Sequence, residues 1–289
     1  MQIQEWSIGI YRGVTPWQIA PARDARNPVL TRHDVTDVAA AFVADPFMLH
    51  VQQTWYMFFE VMPQQGERGE IGLATSADGV QWQYQHIVLR EPFHLSYPYV
   101  FEWEGAYYMV PESYQAEAVR LYRAARFPDQ WSCVATLLRG PYFADTSVWR
   151  YADRWWCFTE ASPDFSHDVL RLFFAADLQE PWREHPRSPL LERNPHTARP
   201  AGRVVVHNER VLRFTQDCAP VYGALVRAFE VTRLSTTHYA ERPVSAVPVS
   251  QGSGTGWNAA GMHHLDPHRL SDGSWIASVD GFFWHDVSP

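Results

Sequence analysis

Cysteine is scarce in this 289-residue chain: Cys133, Cys157 and Cys218 are an odd number, widely spaced, with no C-x-x-C. That excludes a disulfide framework and a thiolate zinc site, and the apolar, strand-like surroundings of each predict three buried free thiols. Positive charge is scarce too, with 24 Lys plus Arg against 32 Asp plus Glu and a net charge of −8. Without a run of Lys or Arg, a nucleic-acid surface and an anionic membrane surface are both excluded. Nowhere do eighteen apolar residues follow one another, so no membrane insertion is expected. The opening MQIQEWSIGIYRG has neither a basic n-region nor an apolar h-region, and a soluble, cytoplasmic protein is the expectation. No G-x-S-x-G elbow, P-loop or G-x-G-x-x-G occurs, and no cofactor is expected. The Gly-rich QGSGTGWNAAG (251–261) is not framed by a strand and a helix, and reads as a loop.

Aromatic residues, by contrast, reach 15 %, which suits an all-β protein because Trp, Tyr and Phe favour half-buried pleated surfaces. They recur with a metre. ADPFMLHVQQTWYMFFE (44–60), SYPYVFEWEGAYYMVPE (96–112) and ADTSVWRYADRWWCFTE (144–160) each give a short apolar strand, a polar turn, an aromatic strand and a terminal Glu. Asp45 to Glu60, Tyr97 to Glu112 and Asp145 to Glu160 are each fifteen positions apart. ARPAGRVVVHNERVLRFTQD (198–217) is a fourth copy, and GMHHLDPHRLSDGSWIASVDG (261–281) a fifth. Four copies are followed by a further strand, a turn and an aromatic, at Trp82, Trp131, Trp182 and Tyr239. The fifth lacks that element, while SIGIYRGVTPWQI near the N-terminus has its shape and carries Trp17.

Repeats of about fifty residues with three or four strands each predict propeller blades. The expected fold is all-β, a five-bladed β-propeller closed by an N-terminal strand that completes the last blade. One domain is expected over residues 1–289, with blades at about 43–90, 93–140, 141–192, 196–247, and 256–289 plus 4–20. Blades packed face to face bury both sides of a strand, which accounts for the unbroken runs WYMFF, YYMV and WWCF. Ring closure also removes exposed sheet edges.

In such a ring the start of each first strand and the end of each second strand reach the same face. Asp45 with Glu60, Tyr97 with Glu112, Asp145 with Glu160, Arg199 with Gln216 and Asp217, and His263 and His264 with Asp280 are therefore expected around one polar pocket. The terminal Glu of each copy could equally serve a structural end by accepting backbone N–H groups. The first-strand residues differ from blade to blade, as a binding site requires. His263 and His264 are adjacent on a strand and point to opposite faces, so at most one faces the channel. No metal is expected, because zinc-type Cys/His spacing is absent.

ADPF and ADTSVW resemble the acidic motifs of the glycoside hydrolase family 43-like clan of five-bladed propellers, and TSADGVQW (75–82) is similar to a turn frequent there. Over nearly the whole chain, EPFHLSYPYVFEWEGAYYMVPES, ARPAGR, QDCAPVYG and GWNAAGMHHLD resemble the N-terminal propeller domain of glucosamine inositolphosphorylceramide transferases and its stand-alone bacterial relatives. The clan resemblance implies Asp45 as general base and Asp145 as the carboxylate that tunes and orients. It also implies an acid from a Glu-Gly-Pro-like motif opening blade four, where this chain reads ARPAGR. Either Glu160 or Glu112 supplies the proton instead, or Arg199 marks a site for an anionic group. The expected ligand is a small molecule or glycan. Two readings stand: a glycosidase-like enzyme using Asp45, Asp145 and Glu160, with Glu60, Tyr97, Glu112, Arg199, Asp217, His263, His264 and Asp280 binding substrate, or a non-catalytic sugar-binding or accessory module. Recruitment of the pocket to non-glycosidic chemistry is a third.

Overall fold

The computed structural model describes residues 2–66 and 68–286. Blade one is an antiparallel sheet of Ala40–Val51, Thr54–Pro63, Glu70–Ser76 and Gln83–Leu89, in that order. Blade two repeats it with Ser96–Trp103, Ala106–Glu112, Ala118–Arg126 and Gln130–Arg139. Blade three uses Ala144–Tyr151, Arg154–Glu160, Leu170–Ala175 and the short Arg183–Glu184. Blade four runs Val205–His207, Arg210–Asp217, Leu225–Leu234 and Tyr239–Pro243, with Ser250–Gln251 added beside the third strand.

Blade five closes the ring. Leu265–Arg269 and Trp275–Asp286 come from the end of the chain, and Gln2–Thr15 and Gln18–Pro21 from its start. Gln2–Thr15 pairs with Trp275–Asp286 from Gln2↔Asp286 to Gly13↔Trp275. The N-terminal strand thus completes the last blade, and a second short strand follows it. Residues 287–289, counted to blade five from the sequence, lie outside the described residues.

Burial follows the sequence pattern. Trp155, Trp156, Cys157 and Phe158 are all buried in one second strand, as are Met57, Phe58 and Phe59 in another. One apolar cluster runs through blades one, two and three, and includes Phe47, Leu73, Tyr99, Leu121, Val148 and Phe173. The periodic tryptophans clip their own turns: the indole N–H groups of Trp82, Trp131 and Trp182 donate to the carbonyls of Gly79, Pro128 and Leu178 at 3.1, 2.7 and 3.2 Å. The cysteines correct their expectation. Cys157 is buried and Cys218 half-buried, whereas Cys133 is exposed, because it lies on an outermost strand with one face uncovered.

Polar side chains from several blades meet across the channel. Gly202 N–H donates to the Tyr97 hydroxyl at 2.6 Å, and that hydroxyl lies 3.0 Å from Gly202 O and 2.8 Å from Ser147 Oγ. Arg203 reaches across to Asp266 with Nε at 2.5 Å, and Nη2 donates to the carbonyls of Val100 and Met48 at 2.9 and 3.3 Å. Blades one, two, four and five are joined by that one guanidinium. The polar face above this crossing is where a site can form.

Candidate active site

The fifteen-residue metre has a mechanical origin. Ala44 pairs with Glu60, Ser96 with Glu112 and Ala144 with Glu160, and pairing resumes at Phe47, Tyr99 and Ser147. Two residues of each first strand therefore oppose one of its partner, which is a β-bulge. The first of the two is Asp45, Tyr97 or Asp145, with φ at 52°, 45° and 49°. Left-handed backbone at non-glycine residues costs roughly 1–3 kcal/mol and persists only where the surroundings enforce it. Here the preceding blade enforces it: Asp280 Oδ2 accepts the Asp45 N–H at 2.9 Å, and Glu112 Oε2 accepts the Asp145 N–H at 3.0 Å. The Tyr97 N–H donates to Asp45 Oδ2 at 3.2 Å. The terminal acid of the preceding second strand thus pins the bulges at Asp45 and Asp145, while the bulge at Tyr97 is held by the first-strand residue Asp45.

Above the bulges opens a cleft of about 450 Å³ whose walls include Asp45, Glu60, Glu112, Arg199 and His263. Trp6, His94 and Tyr222 complete the polar floor and aromatic wall, and Ile3, Phe42, Met62 and Trp284 form an apolar rim. Asp45 is buried, and burial pushes its carboxyl up to about 7, with His263 opposing and Asp145 and Asp280 reinforcing the rise. Burial, then neighbouring carboxylates, push Glu60 and Glu112 well above the usual range. His94 Nδ1 accepts the Gly69 N–H at 2.9 Å, so its proton sits on Nε2, 3.6 Å from Glu60 Oε1. Burial and then Arg199 hold His94 down to about 4, hence neutral.

Arg199 takes the position that opens blade four. Its Nε lies 2.6 Å from Asp145 Oδ2, Nη2 lies 3.4 Å from Glu112 Oε2, and Nη1 donates to His167 Nδ1 at 2.8 Å. Its guanidinium also stands 5.1 Å over the Tyr222 ring. Gln216 Nε2 donates to the same Asp145 oxygen at 2.8 Å. Three of the five guanidinium N–H groups are thus engaged by protein partners, and its charge is answered by Asp145 and Glu112.

Several other expected site residues are placed elsewhere. Asp145 lies beneath Arg199 rather than in the cleft wall. Glu160 is fully buried and turned into its own loop, where Oε1 accepts the Ser162 N–H at 2.7 Å and the Ser162 hydroxyl. Asp217 faces His196 Nδ1 at 2.9 Å and the Ala219 N–H at 3.1 Å, away from the cleft. Tyr97 is part of the polar crossing of the channel. His264 is sealed inside, its Nε2 3.1 Å from Pro46 O and its ring against Phe47. Asp280 is buried below His263, whose Nδ1 it engages at 2.8 Å. Asp45, His263 and Asp280 bring ligand-type atoms within 4.8 Å of one another and could hold a metal ion, though both Asp280 oxygens already take protons from His263 and Asp45.

Trp6, His94, His167 and Tyr222 did not stand out from the sequence. His94 and Tyr222 sit in connections outside the repeat metre, so nothing periodic marks them. Trp6 was legible in principle, because the N-terminal strand that closes the ring must reach the same rim. It stacks on His263 with ring centroids 4.0 Å apart.

A family model described as "Glucosamine inositolphosphorylceramide transferase 1, N-terminal" matches residues 2–282. The chain belongs to that family. It is 33% identical to glucosamine inositolphosphorylceramide transferase 1 of Oryza sativa subsp. japonica over 298 residues, covering 96% of this chain and 40% of that protein. The Arabidopsis thaliana protein of the same name is 31% identical, with 96% and 39% covered. The chain thus spans about two fifths of these glucosamine inositolphosphorylceramide transferases. Among solved structures, the catalytic domain of a Coprinopsis cinerea GH62 α-L-arabinofuranosidase has a TM-score of 0.63 at 12% identity, covering 96% of this chain and 97% of that one. An exo-β-1,3-galactanase from Clostridium thermocellum gives 0.62 at 12% identity, over 74% and 51%. These two likenesses show that the transferase family's N-terminal domain has the fold of the glycosidase propellers.

Proposed function

We propose that this propeller is a recognition module that holds the sugar part of a glycoconjugate in the Asp45–Glu60 cleft. The observation that carries the reading is Arg199, forked onto Asp145 and Glu112 where the clan resemblance calls for a general acid. A guanidinium cannot donate the proton a leaving group needs, and it engages the carboxylate that would tune such an acid. What is left in the cleft suits binding: carboxyl oxygens for sugar hydroxyls, and the Trp6 and Tyr222 rings for apolar sugar faces. The longer relatives are named for glucosamine and an inositolphosphorylceramide, which supports a sugar or inositol headgroup as ligand. Since the propeller is about two fifths of them, transfer chemistry would belong to the remainder. Thermal-shift and calorimetric titration with glucosamine, glucose and myo-inositol tests this, because a ligand of the native state raises apparent stability. No shift with any of them overturns it.

A second reading rests on a separate observation. Asp45, pushed up to about 7, and Glu60, which burial pushes well above the usual carboxylate range, line one cleft as the two carboxyls of a base and acid pair would. Release of nitrophenol from nitrophenyl arabinofuranoside or galactoside, abolished by Asp45→Asn, would establish this reading and displace the first.

A further inference from the structure

We infer that Asp45 and His263 together seat one hydroxyl group of the ligand, its oxygen lying between Asp45 Oδ1 and His263 Nε2, which rests on the sugar-recognition reading. Both residues line the cleft and both are more than nine-tenths buried, at 7% and 5% exposure. The His263 ring is held on three sides. Asp280 Oδ1 engages its Nδ1 at 2.8 Å, Trp6 stacks on it with centroids 4.0 Å apart, and Tyr222 stands perpendicular to it at 5.3 Å. Nδ1 therefore carries a proton, and Nε2 is left for the cleft.

Nε2 lies 3.8 Å from Asp45 Oδ1, too far for a direct hydrogen bond. The other ring near that oxygen is His264, with Nδ1 at 3.6 Å. It cannot donate there. Burial holds His264 down to about 4, hence neutral, and its Nε2 lies 3.1 Å from Pro46 O, a pure acceptor, so the one proton sits on Nε2. Its Nδ1, buried and without a partner, offers Asp45 only a lone pair. Asp45 Oδ2 already takes the Tyr97 N–H. A bond to Oδ1 must therefore come from the cleft side, and one oxygen about 2.8 Å from both Oδ1 and Nε2 would close the gap. Counting protons selects the group. Nε2 donates when the ring is charged and accepts when it is neutral, and Oδ1 accepts when Asp45 is ionised and donates when it is protonated. With one proton between the two residues, a donor faces an acceptor. A hydroxyl gives one proton and accepts through two lone pairs, so it matches whichever side holds the proton. An ammonium only donates, and a carboxylate or phosphate only accepts, so each leaves one side unmet.

Two measurements test the seat. In a crystal structure of the ligand-free chain, a water oxygen is expected within about 3 Å of both Asp45 Oδ1 and His263 Nε2; a metal ion there, or an empty gap, overturns the assignment. Calorimetric titration of the full chain at pH 7 then compares glucose with its 2-, 3-, 4- and 6-deoxy analogues, and myo-inositol with its monodeoxy analogues. Loss of the seated hydroxyl is expected to weaken binding about tenfold or more. His263→Asn keeps an amide for Asp280 but places nothing at Nε2, so it should bring that deoxy analogue and its parent to equal affinity. His263→Gln, whose amide reaches the Nε2 position, should restore part of the difference. Equal affinities across both series in the wild type, or a loss that persists undiminished in His263→Asn, overturn the hydroxyl seat and leave sugar recognition standing. No binding by glucose or myo-inositol overturns the reading beneath it as well. Should His263→Asn fail to fold, the crystal structure and the wild-type series decide.

Discussion

Arg199 Nε lies 2.6 Å from the Asp145 carboxylate, and both side chains are more than nine-tenths buried. The pair is surrounded by Glu112, Gln216 and His167, so either charge left alone would sit largely among buried neighbours. Breaking a buried pair on one side costs about 3–5 kcal/mol, because the remaining charge stays desolvated and alone. Arg199→Met should therefore destabilise the fold by about that amount in urea titrations. Arg199→Lys should cost less but remain measurable, since one ammonium cannot reproduce the three directions of the guanidinium. The double change Arg199→Met, Asp145→Leu should recover part of the loss; a double variant worse than the single one would contradict the pairing.

Gly202 is the tightest point of the ring. Its φ is +123°, and a Cβ built there would stand 1.9 Å from the Leu265 carbonyl oxygen, a backbone atom that cannot step aside. The same residue forms a parallel bridge with Leu265 and bonds to Tyr97. Gly202→Ala is expected to cost about 3 kcal/mol or more through combined strain and clash. Melting temperature of the purified variant checks this, and a shift of only a degree or two would show that blade four can part from blade five.

The pH dependence follows from Asp45. Its folded pKa near 7 stands above the unfolded value of roughly 3.9, so the folded state keeps a proton that the unfolded chain has released. Stability should thus fall as pH rises from about 4 through 7 and level off above. His263 has the same sign: burial opposes its charge, Asp280 outweighs burial, and its raised pKa gives stability that is lost as pH rises through it. Asp266 acts in a separate window. Burial would raise it, but Arg203 and His268 outweigh burial and hold it below the usual range, so its contribution is lost only in acid. Asp45→Asn should flatten the fall and be more stable than the wild type at pH 8 by about 1 kcal/mol or more. Denaturation curves at pH 5 and pH 8 for both proteins measure the difference.

The fold was legible because its metre is periodic and its core is chemical. Aromatic runs mark second strands, and the fifteen-residue interval records a bulge that every repeat of the first three shares. Candidate residues on that metre were legible in position but only partly in role. Asp45 and Glu60 reach the cleft, whereas Glu160, with the same spacing, is captured by Ser162 two residues on, a contact that no periodicity reports. Arg199 was visible as a departure from an expected acid; its engagement by Asp145 and Glu112 was not, since those partners are 54 and 87 positions away in the chain. Tyr222 and His94 arrive from irregular connections, where spacing carries no information about which way a side chain points.

Ring closure gives the last prediction. Gln2–Thr15 inserts Trp6, Ile8, Ile10 and Tyr11 into the core, all buried, beside the C-terminal strand of blade five. Burying four such side chains contributes roughly 6–12 kcal/mol by area, comparable with the whole stability of a typical domain, about 5–15 kcal/mol. A chain lacking residues 1–17 should therefore fail to show a cooperative melt by far-UV circular dichroism. Adding a synthetic peptide of residues 2–17 should restore a transition whose midpoint rises with peptide concentration, as linkage requires of a ligand bound only by the native state. The same peptide with Trp6→Ala should restore the transition less well, because it leaves His263 without the ring that covers it. A truncated chain that melts like the wild type would show that the first strand decorates the ring instead of closing it.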